Sequence, residues 1–134
     1  MRVEDLYIGM EYRLKKSFSD EDVQSFSRMS LDDNPIHVDE EYASKTIFGK
    51  KIVHGFLTRS LFSAIIGTKM PGHGSVYLKQ EMNFRKPVYH DETIEAVVKV
   101  SNIVKEKSLV YLDTFCVNSN GEVVIDGYAI VKLI

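Results

Sequence analysis

The sequence predicts an α+β fold in which a curved antiparallel sheet wraps around one long central helix. Three features carry that expectation. The run Phe56–Met70, FLTRSLFSAIIGTKM, has Arg59 as its only charge before Lys69, and its apolar residues cover much more than one helical stripe. A helix of that composition is buried on most of its sides. Beyond it, four long stretches carry apolar residues in the alternating phase of strands. Between the last two, Asn118-Ser119-Asn120-Gly121 is a strong hairpin turn. One apolar helix followed by strands in series is an α+β layer arrangement.

Taken in order, residues 1–18 read as a lead-in and a short strand. Ser19 then precedes Asp20, Glu21 and Asp22. A serine cap with acids in the first turn starts a helix, and Ser19 to Asp22 has capping-box spacing. Val23, Phe26 and Met29 or Ser30 would form its inner stripe. Pro35 disfavours helical geometry at Asn34, so this helix stops before the run DDNPIHVD. A short helix from about Asp39 to Ser44 follows. Gly49 and Gly55 suggest a bend before the long helix, which Pro71-Gly72-His73-Gly74 ends. In the strand region Val76, Leu78, Met82 and Phe84 share one parity. Ile94, Ala96, Val98 and Val100 share another, and Val123, Ile125, Ala129, Val131 and Leu133 are in phase in the last stretch. Cys116 falls within a strand pattern and reads as a small, inert hydrophobe.

Composition narrows the function classes. The chain of 134 residues suits one domain, residues 1–134, and its formal net charge is −2 with lysines and arginines scattered. A nucleic-acid groove needs a basic patch, which is lacking here. The single cysteine excludes an intrachain disulfide and suits a reducing compartment. No apolar run reaches signal-peptide or membrane-spanning length, so a soluble cytoplasmic protein is expected. No Gly-rich phosphate loop follows a strand.

DDNPIHVD crowds Asp32, Asp33 and Asn34 against Pro35, and then sets Ile36 and His37 beside them. On spacing alone, Asp32 and His37 read first as a helix-end cap and a satisfied loop histidine. The wider sequence resembles the MaoC-like, hotdog-fold (R)-specific enoyl-CoA hydratases, whose members carry Asp, any residue, Asn-Pro, an aliphatic residue and His. That pattern stands here as Asp32-Asp33-Asn34-Pro35-Ile36-His37. FGKKIVHG at Phe48–Gly55, SLFS at Ser60–Ser63, PGHGSVYL at Pro71–Leu78, FRKPVYHDET at Phe84–Thr93 and GYAIVKL at Gly127–Leu133 follow in the family's order. The resemblance covers nearly the whole chain. Two positions depart from it: Leu31 and His90 stand where many relatives have glycine.

The resemblance implies a hotdog fold and reversible addition of water to a trans-2-enoyl thioester, giving an (R)-3-hydroxyacyl thioester. Asp32 would hold and activate the water, and His37 would hold it from a second direction. Asn34 and Pro35 would shape the turn, with Ile36 pointing into the core and Asp33 to solvent. The Gly55 N–H would bind the thioester oxygen. Ser63 would lie near the acyl group, and Ile66 and Val131 would wall a pocket for short chains. Lys79, Arg85, Lys86 and Lys132 are candidate contacts to the phosphates of coenzyme A or acyl carrier protein, which belongs to the substrate. No separate cofactor is expected. Members pair as homodimers, and a dimer of dimers is also open.

Competing readings remain at this level. The chain could be a 3-hydroxyacyl-[acyl-carrier-protein] dehydratase, or a non-catalytic acyl-CoA-binding hotdog protein. A thioesterase fits the Asp32 and His37 pair poorly. His54 reads as a residue satisfying backbone groups at the helix start. Asp32, His37 and His54 fit no standard zinc spacing, so no metal is expected.

Overall fold

A computed structural model describes residues 1–134. Its sheet has five antiparallel strands: β1 (Glu11–Ser17), β2 (Ser75–Phe84), β3 (Thr93–Val104), β4 (Leu109–Val117) and β5 (Val123–Leu133). The spatial order is β1-β3-β4-β5-β2, so β1 and β2 form the edges. The helices are α1 (Asp20–Ser30), α2 (Pro35–Val38), α3 (Glu40–Ser44) and α4 (Gly55–Thr68).

The sequence signals act where they stand. The Ser19 side chain accepts from the Asp22 amide and the Asp22 side chain from the Ser19 amide, so the capping box closes in both directions. Asn118 Oδ1 accepts from the amides of Asn120 and Glu122, and Gly121 takes φ +75°, a conformation glycine adopts without steric penalty. One core cluster joins Leu61, Phe62, Ile65 and Ile66 of α4 to Ile94, Ala96, Val98 and Val100 of β3, Val110, Leu112 and Cys116 of β4, and Ala129 and Val131 of β5. Burial raises the Cys116 thiol to about 12.

Four expectations need correction. In α1 the inner face is Val23 and Ser27 with Phe26 half-buried, whereas Met29 is 80% exposed, because the helix ends one residue later and leaves nothing to pack on its last turn. Ile36 is only half-buried, and His37 is the residue that α2 turns inward. On β2 a bulge between Tyr77 and Lys79 breaks the alternation, and Val76, Leu78 and Phe84 are exposed on this edge strand. Finally, α4 is covered on one side only: Phe56, Ser60, Ser63, Ala64 and Gly67 face outward. The uncharged small residues on that face, Ser60, Ser63, Ala64 and Gly67, need no core of this chain to cover them.

Candidate active site

The site begins where α1 stops. Leu31 takes φ +67°, a left-handed turn that an exposed leucine does not favour. Side chains hold the turn closed. The Ser27 hydroxyl donates to the Asp32 carbonyl at 2.7 Å, and the Asp32 amide donates to Ser30 Oγ at 3.2 Å. His54 Nε2 lies 3.0 Å from the same Asp32 carbonyl. A carbonyl only accepts, so this nitrogen carries the proton.

Asn34 and Pro35 then set the direction of the chain. Asn34 Oδ1 accepts from the Ile36 amide at 3.3 Å and caps α2, with Pro35 in its first turn, where a missing N–H costs nothing. The Asp32 carboxylate accepts from the Asn34 amide at 3.3 Å through Oδ1. Its Oδ2 has no partner within the chain. One turn of α2 carries His37 inward, where Nδ1 donates to the Ile52 carbonyl at 2.9 Å. That bond fixes the tautomer and leaves Nε2 as an unprotonated acceptor. Burial lowers the His37 pKa below its ordinary value, and neighbouring His54 acts in the same direction against the bond to Ile52. The His37 and His54 rings stack with centroids 3.8 Å apart and planes 23° from parallel. Phe26 meets the His54 ring edge-on at 4.8 Å.

Ligand atoms of Asp32, His37 and His54 lie within 4.8 Å of one another. The two imidazoles are stacked, and each spends one nitrogen on a carbonyl. That leaves one nitrogen free on each ring, Nε2 on His37 and Nδ1 on His54. An exposed carboxylate next to a neutral imidazole acceptor can share one water and move its protons.

These residues border a cavity of about 460 Å³ that is also lined by Gly55, Phe84, Arg85 and Lys86. Gly55 is the first residue of α4, and its N–H has no acceptor within the chain. Such first-turn donors, at the positive end of the helix dipole, suit a developing oxyanion. A Cβ at Gly55 would collide with Phe84 Cε1 and lie 2.8 Å from Cδ1, so glycine lets the Phe84 ring pack against the start of the helix. Arg85 pairs with Asp126 at 3.2 Å and Lys86 with Glu122. Exposed pairs of this kind are worth about 0–1 kcal/mol, so either cation can turn to an arriving phosphate at little cost.

The other candidates lie elsewhere. Ser63 lines a second cavity, of about 450 Å³, together with Phe26, Arg59, Tyr77 and Gln80; Phe56 borders both cavities. Ile66 and Val131 are buried core residues that line neither cavity. Lys79 pairs with Glu81, and Lys132 donates to the Lys107 carbonyl; neither lines a cavity. His90 sits against Asp20 at 3.3 Å. Sequence reasoning missed Ser27 and Phe84, and it gave His54 only a local role. His54 does satisfy a backbone group, but that group is the Asp32 carbonyl, twenty-two residues away, and no side-chain cap forms at its own helix. Its position directly before Gly55 was the one available signal.

Comparison with known proteins gives a consistent result. Residues 7–114 match the family described as MaoC like domain. The chain is 42% identical over 130 residues to the 3-hydroxybutyryl-CoA dehydratase of Methylorubrum extorquens, covering 97% of this chain and 82% of that one. It is 38% identical over 133 residues to the (R)-specific enoyl-CoA hydratase of Aeromonas caviae, with 99% of each covered. The solved structure of the A. caviae (R)-hydratase involved in PHA biosynthesis superposes with a TM-score of 0.95 at 37% identity, covering 98% of this chain and 99% of that one.

Proposed function

The chain belongs to the MaoC like domain family, and on that premise we propose that it is an (R)-specific enoyl-CoA hydratase acting on short trans-2-enoyl-CoA thioesters. The observation that carries this reading is the meeting of the Asp32 carboxylate, the neutral His37 imidazole and the unpaired Gly55 amide at one cavity.

The chemistry follows from that arrangement. Water lies between the Asp32 carboxylate and His37 Nε2. As its oxygen bonds to C3 of the enoyl chain, one water proton passes to the Asp32 and His37 pair. The C2–C3 π electrons move toward the thioester, and the charge that collects on its oxygen is met by the Gly55 N–H. The pair then returns a proton to C2 on the same face, so H and OH add syn and the atoms of one water are all accounted for. Dehydration is the reverse. Positioned proton transfer contributes about 10²–10⁴-fold, and an oxyanion donor about 3–4 kcal/mol. How the proton is divided belongs to the pair as a unit.

The remaining assignments are part of the same proposal. Asn34 and Pro35 shape the loop. The acyl tail passes Phe56 toward Ser63. Ile66, three residues beyond Ser63, and Val131, the register partner of Tyr77, stand behind that path as core. Arg85 and Lys86 meet the carrier phosphates, and no separate cofactor takes part. A second copy of the chain covers the open face of α4 and the exposed edge strand β2, an arrangement that also removes an edge open to aggregation. The domain is residues 1–134 and works in the cytoplasm; no helix is long and apolar enough to cross a membrane.

The test is to supply crotonyl-CoA, follow loss of the conjugated-alkene absorbance and determine the product's configuration. An (R)-3-hydroxybutyryl product supports the reading. Free thiol release without hydration identifies a thioesterase, and saturable binding without turnover identifies a binding protein. Faster turnover of the acyl-carrier-protein thioester would reassign the carrier.

A further inference from the structure

We infer that His54 is a positioning residue for the hydration, holding Asp32 by its backbone carbonyl and His37 by its ring. The inference rests on the hydratase reading above. His54 is 1% exposed, yet it makes no cap at its own helix. Its Nε2–H reaches the Asp32 carbonyl at 3.0 Å, and its ring stacks on His37 at 3.8 Å. One imidazole thus touches both reacting residues from the wall of the cavity that they share.

The geometry gives the contact a purpose. Asp32 follows Leu31, whose left-handed backbone is unfavourable for a branched side chain. Such a conformation persists only when its surroundings hold it. Two donors do so at a single carbonyl: Ser27 Oγ at 2.7 Å from α1 and His54 Nε2 at 3.0 Å from the start of α4. The same helix start carries Gly55. His54 therefore ties the base to the oxyanion amide across the cavity and sets their separation. Phe26, edge-on at 4.8 Å, keeps the ring from swinging away.

The experiment compares wild type, His54→Phe, His54→Gln and Ser27→Ala on crotonyl-CoA, reading kcat, KM and the thermal midpoint. Phenylalanine keeps a ring against His37 but has no N–H for Asp32, whereas the glutamine amide can still donate from nearly the same place. Displacing a catalytic group by about 1 Å can cost 10²-fold in rate. His54→Phe is expected to lower kcat by about 10–100-fold with KM within about twofold of wild type, and His54→Gln to recover most of that loss. Ser27→Ala is expected to lower kcat by a smaller factor, again at constant KM. A folded His54→Phe with wild-type kcat, or Phe and Gln variants that fall equally, overturns the inference. Should His54→Phe not fold, an unchanged kcat in Ser27→Ala together with a full loss in His54→Gln overturns it. The wild-type rate tests the hydratase reading separately, since the inference concerns only the ratios to it.

Discussion

Replacing Gly55 by alanine should separate stability from activity. The added Cβ would collide with Phe84 Cε1 and lie 2.8 Å from Phe84 Cδ1. Carbon contacts are comfortable at about 3.5–4.0 Å, so the ring must retreat by about 1–1.5 Å. Phe84 is 50% exposed, and its ring can yield without disturbing the backbone. The cost to folding is therefore small, and alanine offsets part of it through a helix preference of up to about 1 kcal/mol over glycine. Activity has no such relief. The new methyl and the displaced ring both sit at the cavity wall beside the amide proposed to meet the thioester oxygen. A 1 Å misplacement is enough for about 10²-fold, and loss of an oxyanion donor for about 10²–10³-fold. The thermal midpoint should thus stay within a few degrees of wild type, while kcat/KM on crotonyl-CoA falls by about 10²-fold. A Gly55→Ala enzyme with near wild-type kcat/KM would refute the idea that substrate approaches this amide.

Two further outcomes follow from the same structure. Burial holds both His37 and His90 below the ordinary histidine value of 6.5. The unfolded chain therefore takes up these protons first as pH falls, so their contribution to stability is complete above about 6.5 and is lost below it. Because the proposed hydration needs neutral His37, the acid limb of kcat/KM should also lie below 6.5; denaturant titrations and rate profiles between pH 4.5 and 8 would check both, and a limb above 6.5 would contradict the buried, neutral imidazole. At Gly127 an added Cβ would collide with the Glu81 carbonyl and lie 2.7 Å from Met82 Cα, which is backbone of the paired strand. Gly127→Ala should destabilise the fold by about 1–3 kcal/mol, seen as a fall in thermal midpoint of about 5–15 °C; an unchanged midpoint would mean that β2 and β5 do not pair so closely.

Much of this was legible in the sequence because the signals are local. The Ser19 capping box, Pro35 and the Asn118–Gly121 turn act through neighbouring residues, and each stands where its chemistry places it. The strand alternation in β3 also held, since Ile94, Ala96, Val98 and Val100 pack on this chain's own core while Thr93, Lys99 and Ser101 on the other face are exposed. Legibility failed where a side chain's partner is distant in the sequence. The β2 bulge depends on pairing with β5, and the exposed face of α4 on where the sheet lies around it. Asp32 and His37 could be singled out as residues, but their convergence depends on Leu31, Ser27 and Ile52. No spacing rule links Ile52 to His37 or Ser27 to the Asp32 carbonyl. His54 was visible only as the neighbour of Gly55, because its ring acts twenty-two residues back along the chain.

The most direct test of the proposed chemistry is crotonyl-CoA hydration by Asp32→Asn and by His37→Gln, each shown by circular dichroism to keep the wild-type fold. A shared water activated by both side chains predicts that either change lowers kcat by about 10²-fold or more, with the double variant little worse than the more damaging single one. Near wild-type turnover in either folded variant would contradict it.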